Sequence, residues 1–187
     1  VRARISDGLR ETGHEISRRD DALVVRGSCP LWGSSWCEVD YTIEVPAAMY
    51  IDVEADGRVT ISDVTGGVVA SSNQSPVELA RVGGDVTASA DQGRIEGTDL
   101  TAEHVTARAN QGRVTLEFAE SPRSVEASAN QGSLDIVLPD DEDVAYATET
   151  SANQGTVSDR IRQDPDSDRS ITAEANQGSI TIAYVTS

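Results

Sequence analysis

Val105-Thr106-Ala107-Arg108-Ala109-Asn110-Gln111-Gly112-Arg113-Val114-Thr115-Leu116 and Val125-Glu126-Ala127-Ser128-Ala129-Asn130-Gln131-Gly132-Ser133-Leu134-Asp135-Ile136 are one pattern written twice, 20 residues apart. Its centre, Ala-Asn-Gln-Gly, recurs at 152–155 and 175–178, and Asp replaces Asn in a copy at 90–93. Two looser copies precede these, Ala55-Asp56-Gly57 without the Gln and Ser72-Asn73-Gln74-Ser75 with Ser for Gly, making seven. Successive anchors, at 57, 75, 93, 112, 132, 155 and 178, lie 18, 18, 19, 20, 23 and 23 residues apart. A motif returning at a near-constant interval marks a repeat architecture, and this interval is one turn of a β-solenoid.

Around each anchor the apolar residues alternate. Counting back from the glycine, the third, fifth and seventh positions are apolar or small: Val86, Ala88, Ala90; Val105, Ala107, Ala109; Val125, Ala127, Ala129; Ile171, Ala173, Ala175. Counting forward, the second and fourth are bulky: Val59 and Ile61, Val77 and Leu79, Val114 and Leu116, Leu134 and Ile136, Ile180 and Ile182. Period-two alternation is the mark of a half-buried strand. Each coil therefore carries two strands meeting at the Asn-Gln-Gly corner, with alanines where the walls converge. A third apolar mark seven after the anchor, at Val64, Val82 and Leu100, gives a third inward side.

An antiparallel meander would account for one corner, since Asn and Gly favour positive φ in hairpin turns. It would not make residues at every offset match in size. A parallel stack does, because equivalent residues lie above one another at ~4.8 Å. The sequence therefore predicts an all-β protein, a parallel β-helix of about seven coils of 18–23 residues, in a rod roughly 30–35 Å long. Right-handedness is expected, as for nearly all parallel crossover connections.

Residues 1–46 lack the repeat and are expected to lead into or cap the solenoid of 47–187. Ala22–Arg26 and Glu38–Val45 read as strands on either side of Ser28-Cys29-Pro30-Leu31-Trp32-Gly33-Ser34-Ser35-Trp36-Cys37, and Pro46 ends the second. Cys29 and Cys37 are expected to close a disulfide across a hairpin; two buried free thiols are the alternative, and without His ligands the pair makes a poor metal site. Closing so short a loop is worth about 2.6 kcal/mol in the chain-entropy treatment. Disulfides persist outside the reducing cytosol. The chain begins Val1-Arg2-Ala3 in strand-like sequence, so an upstream targeting segment is expected, and no stretch approaches the ~20 apolar residues that span a bilayer. After the last repeat, ending at Tyr184, no polar capping element follows, although terminal repeats normally need one. An open end of this kind would allow end-to-end association of copies.

The 187-residue chain has a formal charge of −17, with 15 arginines and no lysine. That argues against nucleic acid or an anionic membrane as partner, since a phosphate-binding face needs clustered cations. With only 4% aromatic residues, the core must come from many small aliphatic positions, as a solenoid's does.

Stacking places Asn110, Asn130, Asn153 and Asn176 in one column and Gln111, Gln131, Gln154 and Gln177 beside it. Such amides form ladders that satisfy turn groups, and this structural role is the favoured one. Outward amides would also form a comb able to bond glycan hydroxyls. Trp32 and Trp36 offer aromatic faces for a sugar or a partner protein, or else pack over the solenoid's end. Asp140-Asp141-Glu142-Asp143 and the alternating Asp164, Asp166 and Asp168 invite a calcium reading. The second opens like an EF-hand loop but has Arg169 at the sixth position and Ala175 at the twelfth. Both fall where the spacing stretches to 23, so solvated bulge loops are the better account. His14 and His104 are the only histidines and accompany no nucleophile elbow or phosphate loop, so no catalytic residue, metal or cofactor is assigned.

The repeat Val-x-Ala-x-Ala-Asn-x-Gly-x-Val-x-Leu, with Cys37-Glu38-Val39-Asp40-Tyr41-Thr42-Ile43-Glu44-Val45-Pro46 before the first coil, resembles a family of bacterial surface adhesin-type domains related to auto-transporter head domains. The resemblance implies a right-handed β-helix, an extracytoplasmic location behind an N-terminal anchor, and no established ligand. The chain departs from the family's usual Ser-Asn-Gly or Asp-Gly corner by inserting Gln. The expected function is a non-enzymatic binding or adhesion scaffold for a glycan or cell-surface protein, with a self-assembling structural protein and a carbohydrate-active enzyme as the other classes. Alkylation without reductant, read by mass spectrometry, is expected to leave Cys29 and Cys37 unlabelled; labelling of both in the native protein overturns the disulfide and the localisation drawn from it.

Overall fold

The computed structural model describes residues 2–7, 13–19, 22–28 and 39–185, and none of these is helical. The chain divides into two compact units, Val1–Pro46 and Ala47–Ser187. In the first, β1 (Arg2–Asp7) pairs antiparallel with β4 (Val39–Glu44), and β2 (Gly13–Arg19) with β3 (Ala22–Ser28). The two strands expected around the cysteine loop are thus present as β3 and β4. Each takes a different partner, however, and among the described residues they do not form a hairpin with one another. Cys29, Cys37, Trp32 and Trp36 lie outside the described residues.

The second unit is a parallel β-solenoid in which each repeat gives one strand to each of two seven-stranded sheets. The pairs are β5 (Ile51–Ala55) with β6 (Val59–Val64), β7 (Val68–Ser72) with β8 (Val77–Val82), and β9 (Asp85–Gln92) with β10 (Ile95–Leu100). They continue as β11 (His104–Gln111) with β12 (Val114–Phe118), β13 (Ser124–Gln131) with β14 (Leu134–Leu138), β15 (Ala147–Gln154) with β16 (Val157–Asp159), and β17 (Ser170–Gln177) with β18 (Ile180–Tyr184). Registers follow the repeat: Val105 sits over Val86 and under Val125, and Gln111 over Gln92 and under Gln131.

Alternation decides what is buried. In β11, Val105, Ala107 and Ala109 point inward while His104, Arg108, Asn110 and Gln111 are exposed. The facing sheet supplies Val114, Leu116, Leu134, Ile136, Ile180 and Ile182, all fully buried. Each such branched residue contributes roughly 1.5–3 kcal/mol of burial. The third side is closed by Val64, Val82, Leu100, Phe118 and Leu138. Before its first members, Asp63, Arg81 and Asp99 hold φ of 59°, 53° and 51°, a left-handed turn repeated in three coils. Arg81 pairs with Asp63 through two bonds, of 2.7 and 3.0 Å, and holds that carboxyl below its usual range. Both groups are exposed, so the pair adds little stability.

The glycine at the corner is a steric requirement. A Cβ on Gly132 would lie 1.8 Å from the carbonyl oxygen of Gly112, one on Gly178 1.8 Å from that of Gly132, and one on Gly155 1.7 Å from that of Gly178. Gly112, Gly132 and Gly178 also hold φ of 153–158°, a region side chains disfavour. At Ser72 the polar group replacing alanine is satisfied, its hydroxyl donating to Gly57 O at 2.9 Å and accepting from Ser75 N at 3.1 Å.

Spatial order departs from chain order at one place. The sheets run β5-β7-β9-β11-β13-β17-β15 and β6-β8-β10-β12-β14-β18-β16, so the coil β17–β18 lies between β13–β14 and β15–β16. This corrects two expectations. The coil ending at Tyr184 is an inner layer, and the layer at the end of the stack is β15–β16. The 23-residue spacings are not simple bulges: the chain needs residues 139–146 to rise past an empty layer, roughly 10 Å, and 160–169 to step back into it. Earlier connections between coils take only two to five residues.

Polarity explains which coil ends the stack. In β15–β16 the inward columns hold Thr148, Thr150 and Asp159 where β17–β18 has Ile171, Ala173 and Ile182. At the end of the stack these polar groups are only half-buried, and Asp159 accepts from Gln163 Nε2 at 2.8 Å. Placed in chain order, Asp159 would be sandwiched between Ile136 and Ile182, and Glu149 would face Glu126 directly. Burying a hydroxyl without a partner costs about 1–3 kcal/mol, and a carboxylate more. In the observed order Ile171, Ala173, Ile180 and Ile182 are completely buried, and Thr172 separates the two glutamates.

Gly132→Ala is expected to destabilise the protein by at least ~2 kcal/mol through forced displacement of the neighbouring layer. Gly57→Ala, at the first layer where an added Cβ meets nothing within 4 Å, should stay within ~0.5 kcal/mol. Equal urea midpoints for the two variants would refute the glycine column.

Candidate functional site

The corner columns separate into two kinds of amide. Asparagines form a ladder up the stack: Asn153 Nδ2 donates to Asn176 Oδ1 at 3.0 Å, Asn176 to Asn130 at 2.9 Å, and Asn130 to Asn110 at 3.1 Å. A separate rung joins Asn73 to Asp56 at 2.7 Å. Asp91 interrupts the column and makes no bond to either neighbour among the described residues; its carboxylate has no N–H to pass to Asn73, and it does not accept from Asn110 as Asp56 does from Asn73. The ladder follows the spatial order of the coils, so Asn176 bridges Asn130 and Asn153 although it comes last in the chain.

The glutamines behave differently. Gln74, Gln92, Gln111, Gln131, Gln154 and Gln177 are exposed, and among the described residues their side chains make no hydrogen bond. Both amides can ladder at this layer spacing; here the asparagine column does so and the glutamine column, one residue further along the corner, does not. Asn130, Asn153 and Asn176 each spend one N–H within the stack and keep the other, while Asn110 only accepts. The face is therefore a column of held amides beside a column of free ones.

Alongside the ladder a shallow open depression of about 410 Å³ is lined by Ser89, Asp91, Arg108, Asn110, Asn130 and Asn176, among others. The next outward column carries Ser71, Ser89, Arg108, Ser128, Glu174 and Ser151, with Arg108 reaching Glu126 at 3.5 Å. His104 Nδ1 lies 3.1 Å from Asp85 Oδ1, both exposed. The outer face of the other sheet is a ladder of charges: Arg94 meets Glu78 and Glu96 at 3.3 and 3.1 Å, and Arg113 meets Asp135 at 3.7 Å. Its charges are largely answered by neighbours, which leaves the amide corner as the repeated surface with unused hydrogen-bonding capacity.

The acidic segments belong to the two connections that reorder the last coils. Asp140 accepts from Arg162 Nη2 at 2.7 Å, and that guanidinium lies 4.6 Å from the Tyr184 ring centre. Asp164 accepts from the backbone N–H of Asp166 at 3.0 Å. No group of three His, Cys, Asp or Glu side chains converges among the described residues. Beneath these connections Tyr146 is buried, and burial pushes its phenol above the ordinary value. Arg169 reaches back to the carbonyls of Ser121 and Pro122, both at 2.7 Å. Arg162 and Arg169 were not singled out from sequence as structural residues; their place inside the stretched segment 160–169 was the available signal.

No family model, curated protein or solved structure matches the chain.

Asn130→Ala removes one donated and one accepted bond of the ladder and is expected to lower stability by about 1–2 kcal/mol. Gln131→Ala should change it by less than ~0.5 kcal/mol. Thermal melts that rank the two the other way would show that the glutamine column holds the stack.

Proposed function

We propose that this protein is a non-enzymatic extracytoplasmic scaffold whose amide corner binds an extended polyhydroxylated chain, a glycan, lying along the stack axis. One observation carries the reading: exposed glutamine amides repeat at the layer spacing and have no partner within the stack. Amides offer donor and acceptor together, as sugar hydroxyls do, and a flat comb of them meets successive residues of a polymer without enclosing any one. Serines of the adjoining column widen the same polar strip. The formal charge of −17 favours a neutral or cationic polymer over an anionic one. Placement outside the cytosol rests on the cysteine pair and on the resemblance to adhesin-type surface domains. End-to-end stacking of copies finds less support, because the end layer β15–β16 carries Thr148, Thr150 and Asp159 inward.

A glycan array with the full chain is the direct test. Binding to a neutral polymer is expected, falling tenfold or more in the triple variant Gln111→Ala, Gln131→Ala, Gln177→Ala, which clears three successive layers. Unchanged binding in that variant would put the site elsewhere, and release of reducing ends from any bound polymer would replace the scaffold reading with an enzymatic one.

A further inference from the structure

Every coil from β7–β8 to β13–β14 is laid against the coil before it, whereas β17–β18 is laid between two coils that precede it in the chain. In the folded chain β17–β18 fills a slot one layer deep between β13–β14 and β15–β16, and it alone pairs with β15 and β16. Four strand edges face that slot, and all four are satisfied by β17 and β18 alone.

The slot specifies its occupant closely. Ala173 and Ala175 fit between Ala127 and Ala129 on one side and Thr150 and Ala152 on the other. At the corner only glycine is admissible, since a Cβ on Gly178 would strike the carbonyl of Gly132. Two positions earlier an amide is needed that both accepts from Asn153 and donates to Asn130, as Asn176 does. A segment meeting all three demands is a coil of this same chain. The tether that delivers it, residues 160–169, is the longest connection in the solenoid. Its far end is pinned by Arg169 on Ser121 and Pro122 and by the backbone N–H of Ser170 on Arg123 O at 2.9 Å.

We propose that the slot between β13–β14 and β15–β16 is a docking site for residues 170–185 of a second copy of this chain, giving an exchanged dimer. Every contact within the exchanged layer is then identical to the intramolecular one, so the two forms differ chiefly in the conformation of 160–169 and in the entropy of association. Arg169 sets how readily the coil leaves, because its two bonds must break before the tether swings out. The exchanged coil carries Asn176 and Gln177, so the amide corner is rebuilt with the same residues in the dimer.

Two full-chain variants test this, each with one added cysteine: Ser128→Cys and Glu174→Cys, neighbours across β13 and β17. They are mixed at high concentration in denaturant just below the unfolding midpoint, returned to native buffer, oxidised, fractionated by size and mapped by mass spectrometry. A 128–174 link between copies in the dimer fraction is expected, with several-fold more of it when Arg169→Ala is added to both. Ser71→Cys mixed with Ser89→Cys, adjacent across β7 and β9 where no coil is inserted, should give less than a tenth as much. Absence of the 128–174 link, or equal linkage at 71–89 as expected for association of wholly unfolded chains, overturns the proposal.

Discussion

The spacing of parallel strands governs this molecule. At ~4.8 Å between layers, whatever stands at one position in a coil must fit against the same position in the next. The corner states the constraint most severely: Gly112, Gly132, Gly155 and Gly178 each lie so close to the carbonyl of the glycine beside them that no side chain can enter. From that contact follow the sharp bend between the two sheets and the narrowing of the walls there. Alanines fill the narrow end, and branched aliphatics the open side.

A stack has ends, and an end must tolerate water on one face. Here the chain does not reserve its final coil for that duty. The coil of β15–β16, with two threonines and an aspartate in core columns, goes outermost, and β17–β18, whose buried residues are all aliphatic, goes inside. Local composition thus overrides chain order, at the cost of two long connections. Those connections are themselves well tied, through Arg162 to Asp140, Ser167 to Ala145 O and Asp164 N–H to Tyr146 O.

Much of the solenoid was readable from its repeat, because column matching imprints size and polarity at every offset. Val105, Ala107 and Ala109 fall inward, and Asn110 and Gln111 outward, as alternation requires. Order along the stack was not read, although Thr148 and Thr150 broke the apolar pattern of their column, because a repeat names which residues share a column and not which layer each occupies. Nor was the difference between the two amide columns read. Adjacent Asn and Gln look alike as polar corner residues, and a repeat does not say which of two neighbouring columns turns its amides along the stack. In Val1–Pro46, where no repeat operates, the strands β3 and β4 were read correctly while their partners were not: β4 pairs with the distant β1, and β3 with β2, which ends only two residues before it.

The inserted coil also gives the rod a mechanical character. In a solenoid wound in simple order, tension on the last strand unzips one coil at a time, each step breaking hydrogen bonds along a single edge. Tension applied at Tyr184 meets a strand held on both sides, by Leu138 of β14 and by β16, with its partner β17 clamped likewise. Two ladders must shear together before anything unravels. The coil is a keystone, and a rod built this way resists fraying under load at the point where a plain helix of strands would begin to peel.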